Sequence, residues 1–237
     1  MSVWLRTLRA LPKDLAKAVI VHLPGPSGIL LRRWYYGRRL GACGSGLRID
    51  PGVQLQGLPH IFIGNNVHLR ENVIIQTAPP RDAARERRDV RFVGRRVSEG
   101  EGRVEIGDHA RIAFSVIILG YGGVKIGEKC GVGPNCVILS ESFHHKGSDA
   151  NRVWKYSAGA EPEEQCVVRG RVVMDDGAGV ASNVTLLPGA RIGRDAWVGV
   201  NSVVSVGGVV PPDVVAKGDP AVPVFQRPYV QPVSSES

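Results

Sequence analysis

Aromatic side chains are scarce, at 6 % of the chain, and acidic residues are outnumbered by basic ones, 22 against 30. Few aromatics beside 30 glycines argue against a helical bundle and for a chain of many tight turns. The cysteines are four, Cys43, Cys130, Cys136 and Cys166, with no Cys-x-x-Cys pair, and no histidine stands at zinc-finger spacing, so no metal is expected. A reduced, cytosolic protein is the simplest expectation. No uninterrupted apolar run is long enough to cross a bilayer. The N-terminus lacks both the long apolar core and the small-residue cleavage site of a signal peptide.

The formal net charge is +8. Most of the excess is arginine, gathered between Arg32 and Arg39 and between Arg81 and Arg96. Such clusters make either a solvated basic face or a site for anions such as phosphates or acidic headgroups. No nucleic-acid motif accompanies them, so nucleic acid is not an expected partner. A length of 237 residues suits one large domain, alone or with appendages.

Three regions differ in pattern. In residues 1–46, Trp4, Leu5, Leu8, Leu11, Leu15, Ala18 and Val19 recur at three-to-four spacing with Arg6, Arg9, Lys13 and Lys17 between them. That spacing predicts an amphipathic helix with a basic polar face, bent or split at Pro12. Pro24-Gly25-Pro26 is a stop signal, and a second short helix is expected from Gly28 to Leu40. The segment either packs on its own assembly or rests on anionic lipid as a peripheral membrane contact.

From residue 47 a six-residue rhythm takes over. The aliphatic positions are Ile49, Leu55, Ile63, Leu69 and Ile75, then Ile106, Ile112 and Ile118, then Ile126, Val132 and Ile138. The cleanest run is Met174, Val180, Leu186, Ile192, Val198 and Val204. Four places later comes a small residue, as at Val67, Ala110, Cys130, Cys136, Val184, Ala190 and Ser202. A period of six suits neither a helix nor an alternating strand. It suits a short strand followed by a turn through a third of a circle, so that three sides close one coil. The aliphatic residue points inward and the small residue fits the corner. Parallel strands pairing from coil to coil at about 4.8 Å would give some six coils and a prism roughly 30 Å tall. Cys130 and Cys136 stand in the corner slot and are read as packing residues. The expectation is a mainly β, left-handed parallel β-helix over residues 47–206, with a closing segment and tail at 207–237.

The rhythm breaks at 77–103, which holds Pro79-Pro80 and the second arginine cluster. It breaks again at 140–170, which holds His144, His145, Trp154 and Tyr156. Insertions in a solenoid leave from one corner as loops and carry function.

Three stretches resemble the hexapeptide-repeat acyltransferases, nearest to the maltose/galactoside and capsule or exopolysaccharide sugar O-acetyltransferases. They are Val124 to Asn135, Val180 to Gly193, and Val209 to Ala221, the last similar to that family's closing signature. The resemblance covers roughly residues 47–226. It implies acetyl-CoA or another acyl-CoA as co-substrate, no metal, a sugar or sugar-precursor acceptor, and a homotrimer. Its catalytic histidine begins the loop after a coil, and Glu141-Ser142-Phe143-His144 falls there, so His144 is the expected general base, with His145 as the fallback and acceptor-side residue. It carries acyl-CoA contacts onto Ser182 and Val200, phosphate contacts onto Lys217 and Arg227, and an acceptor contact onto Ser115. An imidazole taking the proton from an attacking hydroxyl and returning one to the thiolate fits direct transfer. Glu141 and Asp149 are both candidates to orient it.

The chain departs from the pattern at Gly179-Val180-Ala181, where relatives have Trp-Ile-Gly, and at Val222-Pro223, where they have a basic residue. The same residues are compatible with N-acylation of an amino sugar. A non-catalytic β-helix serving as an assembly protein is a reading of another class. A prism-shaped carbonic anhydrase would need three converging histidines, and His60, His68 and His109 lack the spacing.

Overall fold

The computed structural model describes residues 15–77, 89–94, 102–143, 148–149, 152–153 and 159–227. Its centre is a left-handed parallel β-helix with three faces. The first face stacks Ala42–Cys43, Ile61–Ile63, Val104–Ile106, Val124–Ile126, Val172–Met174, Arg191–Ile192 and Val209–Val210. The second stacks Arg48–Ile49, His68–Leu69, Arg111–Ile112, Gly131–Val132, Gly179–Val180, Trp197–Val198 and Val214–Gly218. The third stacks Gln54–Gln56, Ile74–Gln76, Ile117–Leu119, Val137–Leu139, Thr185–Leu186 and Val203–Val204. The ladders thus continue past residue 206. Ala221–Gln226 folds back antiparallel on Val214–Gly218 and ends the second face.

Every aliphatic position of the six-residue rhythm is buried, and equivalent residues meet in register, such as Ile63 on Ile106 and Val180 on Val198. The corners add a rule that the rhythm alone did not reveal. The third residue after the inward one adopts the left-handed conformation, at Asn66, Asn72, His109, Ser115, Lys129, Asn135, Asn183, Asp195, Asn201 and Asp213. Asparagine leads because its short polar side chain tolerates that region better than most. His109 is therefore a corner residue, His60 sits in a 3₁₀ turn and His68 faces outward on the second face, so the three do not converge.

Helix α1 (15–22 among the described residues) and α2 (Gly25–Gly37) lie over the first coil. Helix α2 starts earlier than the proline signal predicts, because Pro26 falls in its first turn, where the missing N–H costs nothing. Arg32 corrects the sequence reading. It belongs neither to a solvated basic face nor to an anion site, because its side chain is fully buried. Its Nε donates to the Ile49 carbonyl at 2.9 Å, and Nη1 donates to Leu23 at 2.7 Å and Ile20 at 3.2 Å. It joins carbonyls at the end of α1 to the backbone edge of the first coil. Tyr36 is buried beside it and donates to the Val53 carbonyl at 3.2 Å.

Cys130, Cys136 and Cys166 are buried and Cys43 is exposed. Burial pushes all three buried thiols up, Cys130 and Cys166 to about 11. A polar disulfide reagent at mildly alkaline pH should therefore label Cys43 alone in the native protein and all four thiols after unfolding. Because the folded pKa lies above the unfolded one, the stability these thiols contribute is intact below pH 9 and declines as pH rises from 9 towards 11. Rapid labelling of two or more thiols in the folded protein would contradict the packing assignment.

Candidate functional site

Both insertions leave through the same corner, between the third face and the first. There they build a small sheet of their own. Strand β1 (Asp89–Val93) pairs parallel with β3 (Cys166–Gly170), which pairs antiparallel with β2 (Glu141–Phe143). The sheet is fastened to the prism by buried polar contacts. Ser140 donates its hydroxyl to the Leu119 carbonyl at 2.7 Å and accepts from Gly122 N–H at 2.8 Å. Arg169, 3 % exposed, donates from Nε to the Glu141 carboxylate at 2.7 Å. His144 and His145 follow directly on β2 but lie outside the described residues, as does the side chain of Asp149. Glu141, one of the two carboxylates considered for orienting the imidazole, is engaged by Arg169.

The other predicted residues divide. Ser182 and Val200 occupy equivalent positions on the corner between the second and third faces, and Ser115 lies one column away on the same corner. Val200 is 62 % exposed. Lys217 ends the second face, its stem running over Gly199. Arg227 lies apart from them. Its guanidinium donates to the Asp195 carbonyl and its backbone N–H to Asp213, so it ties the last strand to the corner between the first and second faces.

A groove of about 620 Å³ runs over the second face. Ser182 lines it, with Arg48, His68, Arg111, Gly131 and Trp197. The last five stand in one column of outward positions, which from coil to coil reads Arg48, His68, Arg111, Gly131, Gly179, Trp197. The floor is small, made of Gly131, Gly133 and Ala181. Two of the glycines in the column differ in cause. A methyl on Gly179 would sit 2.4 Å from the Trp197 ring, so internal packing demands that glycine. A methyl on Gly131 would meet no atom within 4 Å. Close approach by a ligand or another backbone is one of the reasons a strand keeps a glycine, and Gly131 has open space for it.

The N-terminal end of the groove carries the charge. Asp50, 4 % exposed, accepts from His68 Nε2 at 2.7 Å and from Arg48 Nε at 3.2 Å. With the Nε2 proton directed at the carboxylate, a neutral His68 ring keeps its lone pair on Nδ1. Arg70 pairs with Glu71 at 3.2 Å. Arg111 makes no side-chain hydrogen bond or ion pair among the described residues, and so offers an uncommitted cation beside His68. The sequence reading missed Asp50, Arg111, Gly131 and Trp197 as site residues and weighed His68 only as a metal ligand. For Arg111, Gly131 and Trp197 the available signal was the outward position just before each inward aliphatic residue, once the coils on either side of the insertions are aligned.

No family profile and no curated protein matches the chain. Solved structures do. A point variant of AntD, an N-acyltransferase from Bacillus cereus in complex with dTDP-4-amino-4,6-dideoxyglucose and coenzyme A, superposes with a TM-score of 0.65 at 15 % identity, covering 84 % of this chain and 89 % of that one. AntD with dTDP and 3-hydroxybutyryl-CoA gives 0.62 at 15 %, over 83 % and 88 %. The hexapeptide-repeat containing acetyltransferase VCA0836 from Vibrio cholerae gives 0.52 at 20 %, over 95 % and 93 %. At these identities the likeness establishes the fold.

Proposed function

We propose that the chain is an acyl-CoA-dependent acyltransferase that passes the acyl group directly from the thioester to a sugar hydroxyl, on a polysaccharide or its precursor. The observation that carries this reading is the second-face groove. It has a small-residue floor that lies between Arg111, midway along the groove, and Lys217, beyond its Trp197 end. From the Arg111 coil to the Lys217 coil is four strand spacings, about 19 Å, room for an extended arm with anionic groups. The likeness to AntD and VCA0836, both acyltransferases, supports it. AntD's complex with an amino-sugar nucleotide favours a second reading, transfer to a sugar amine.

In the O-transfer reading His144 takes the acceptor proton as the oxygen attacks the thioester carbonyl. The carbon–sulfur bond then breaks, and the departing thiolate takes up a proton. The segment holding His144 leaves from one edge of the prism, while Ser182, Val200 and Ser115 share another. A site that uses both edges is completed by a neighbouring copy, which is the physical motive for a homotrimer.

Gly131→Val separates a binding role from a structural one. Valine suits an outward, half-buried strand position, and its Cβ would meet no atom within 4 Å, so the melting temperature should hold or rise. Acetyl-CoA affinity measured by calorimetry should fall about tenfold or more, equivalent to roughly 1.4 kcal/mol. Unchanged affinity in Gly131→Val and in Arg111→Ala would remove the groove from the proposal. Turnover is tested with acetyl-CoA against a panel of sugars, amino sugars and their nucleotides. Thiol release with none of them, and with no acyl-CoA, would overturn the enzymatic reading.

A further inference from the structure

Helix α2 is amphipathic in an inverted sense. The side against the prism carries Gly28, Arg32 and Tyr36, all buried. Leu30 and Trp34 lie two residues on from Gly28 and Arg32, about 200° round the helix, and so point away from the prism. They are 65 % and 52 % exposed. On α1, Leu15 and Val19 stand one turn apart and are 58 % and 57 % exposed. A helix gains nothing from burying its arginine and showing its leucine and tryptophan to water.

The charges around these side chains have one sign. No aspartate or glutamate occurs from residue 15 to residue 49. Lys17, Arg33, Arg38 and Arg39 are exposed. The Arg38 guanidinium lies 5.1 Å from the centre of the Trp34 ring, and Arg39 lies 4.1 Å from that of Tyr35. Aromatic rings with guanidiniums stacked on them suit a boundary where an apolar layer meets an anionic one. The rings and leucines enter the acyl boundary while the basic heads stay among the phosphates.

We propose that the N-terminal end of the prism docks on an anionic lipid surface through Leu15, Val19, Leu30 and Trp34, with Lys17, Arg33, Arg38 and Arg39 meeting the headgroups. A second copy is the less suitable occupant, since it would bring the same unbroken positive segment against itself. The groove and the insertion corner lie along the sides of the prism, so docking by its end leaves them open. The docking does not depend on the acyl-transfer reading.

The test is flotation of the full chain with phosphatidylcholine vesicles and with vesicles that also contain phosphatidylglycerol. The protein should float with the second kind only, and high salt should release it. The double variant Leu30→Ser, Trp34→Ser should lose at least about tenfold in partitioning, because two large apolar side chains leave the interface. Arg33→Glu with Arg38→Glu should lose the preference for anionic lipid. Both double variants change exposed residues and should melt with the parent. Three results would overturn the proposal. One is no flotation with anionic vesicles. Another is equal flotation by parent and Leu30→Ser, Trp34→Ser. The third is a lower oligomeric mass for that variant with no lipid binding by the parent, which would assign the face to a second copy.

Discussion

Replacing His144 by alanine should lower kcat by about 10²–10⁴-fold, the range of a lost general base, while acyl-CoA affinity stays unchanged. The residue follows a strand that the fold holds firmly. Strand β2 is paired along its length with β3, Arg169 closes on Glu141 in a nearly buried ion pair, and Ser140 is locked to the coil behind it. These contacts fix where the chain leaves β2. A hydroxyl is a poor nucleophile at neutral pH, so the loss should appear in kcat and not in donor binding. The control is His145→Ala, which should retain most of the turnover. An equal loss for His145→Ala with none for His144→Ala would transfer the role to the neighbour. If neither variant loses turnover, the His68–Asp50 pair becomes the next base to test, and His68→Gln keeps the hydrogen bond to Asp50 while removing the base.

Replacing Arg32 by methionine should open the N-terminal end of the prism and little else. Methionine keeps the length and apolar stem but leaves the carbonyls of Leu23, Ile20 and Ile49 without their donor. Hydrogen bonds from a charged donor are worth about 1.5–3 kcal/mol each, so a loss on the order of 3 kcal/mol is expected after local relaxation. Burial already draws the Arg32 guanidinium below its ordinary pKa, with the charge of Asp50 opposing that shift. The cation is retained there at a cost, and the bonds to four carbonyls, those of Ile49, Leu23, Ile20 and Val21, offset it. Lysine should not restore the parent, since a single ammonium cannot reach the coil and the helix end in the fork geometry of a guanidinium. Coils in a solenoid are coupled mainly to their neighbours, so amide exchange should quicken across residues 15–55 while coils from 104 onward keep their protection. A uniform rise in exchange along the prism would mean that Arg32 supports the whole fold. No change at either end would mean that the carbonyls find other donors.

Some of this was legible before any coordinates. The period of six is a local property, since each hexapeptide makes its own strand and turn, and so the inward residues from Ile49 to Val204 were readable one by one. The corner cysteines were readable for the same reason. The left-handed corners were written in Asn66, Asn72, Asn135, Asn183 and Asn201, but the pattern is visible only once the inward residue is taken as the origin of each count.

The amino-acid sequence by itself determined the three-sided coil, the inward stack and the places where the chain leaves it, because these follow from which residues tolerate a short strand and a sharp turn. Tertiary structure alone decided which coils become neighbours across the insertions. Hydrogen bonding joins the coil before an insertion to the coil after it, whatever lies between, so Arg111 comes to lie beside His68, and Gly179 beside Gly131. The groove on the second face exists only through that registration. The same holds for Arg32, whose burial depends on the end of α1 and the first coil presenting carbonyls to one point in space, a convergence that no local spacing encodes.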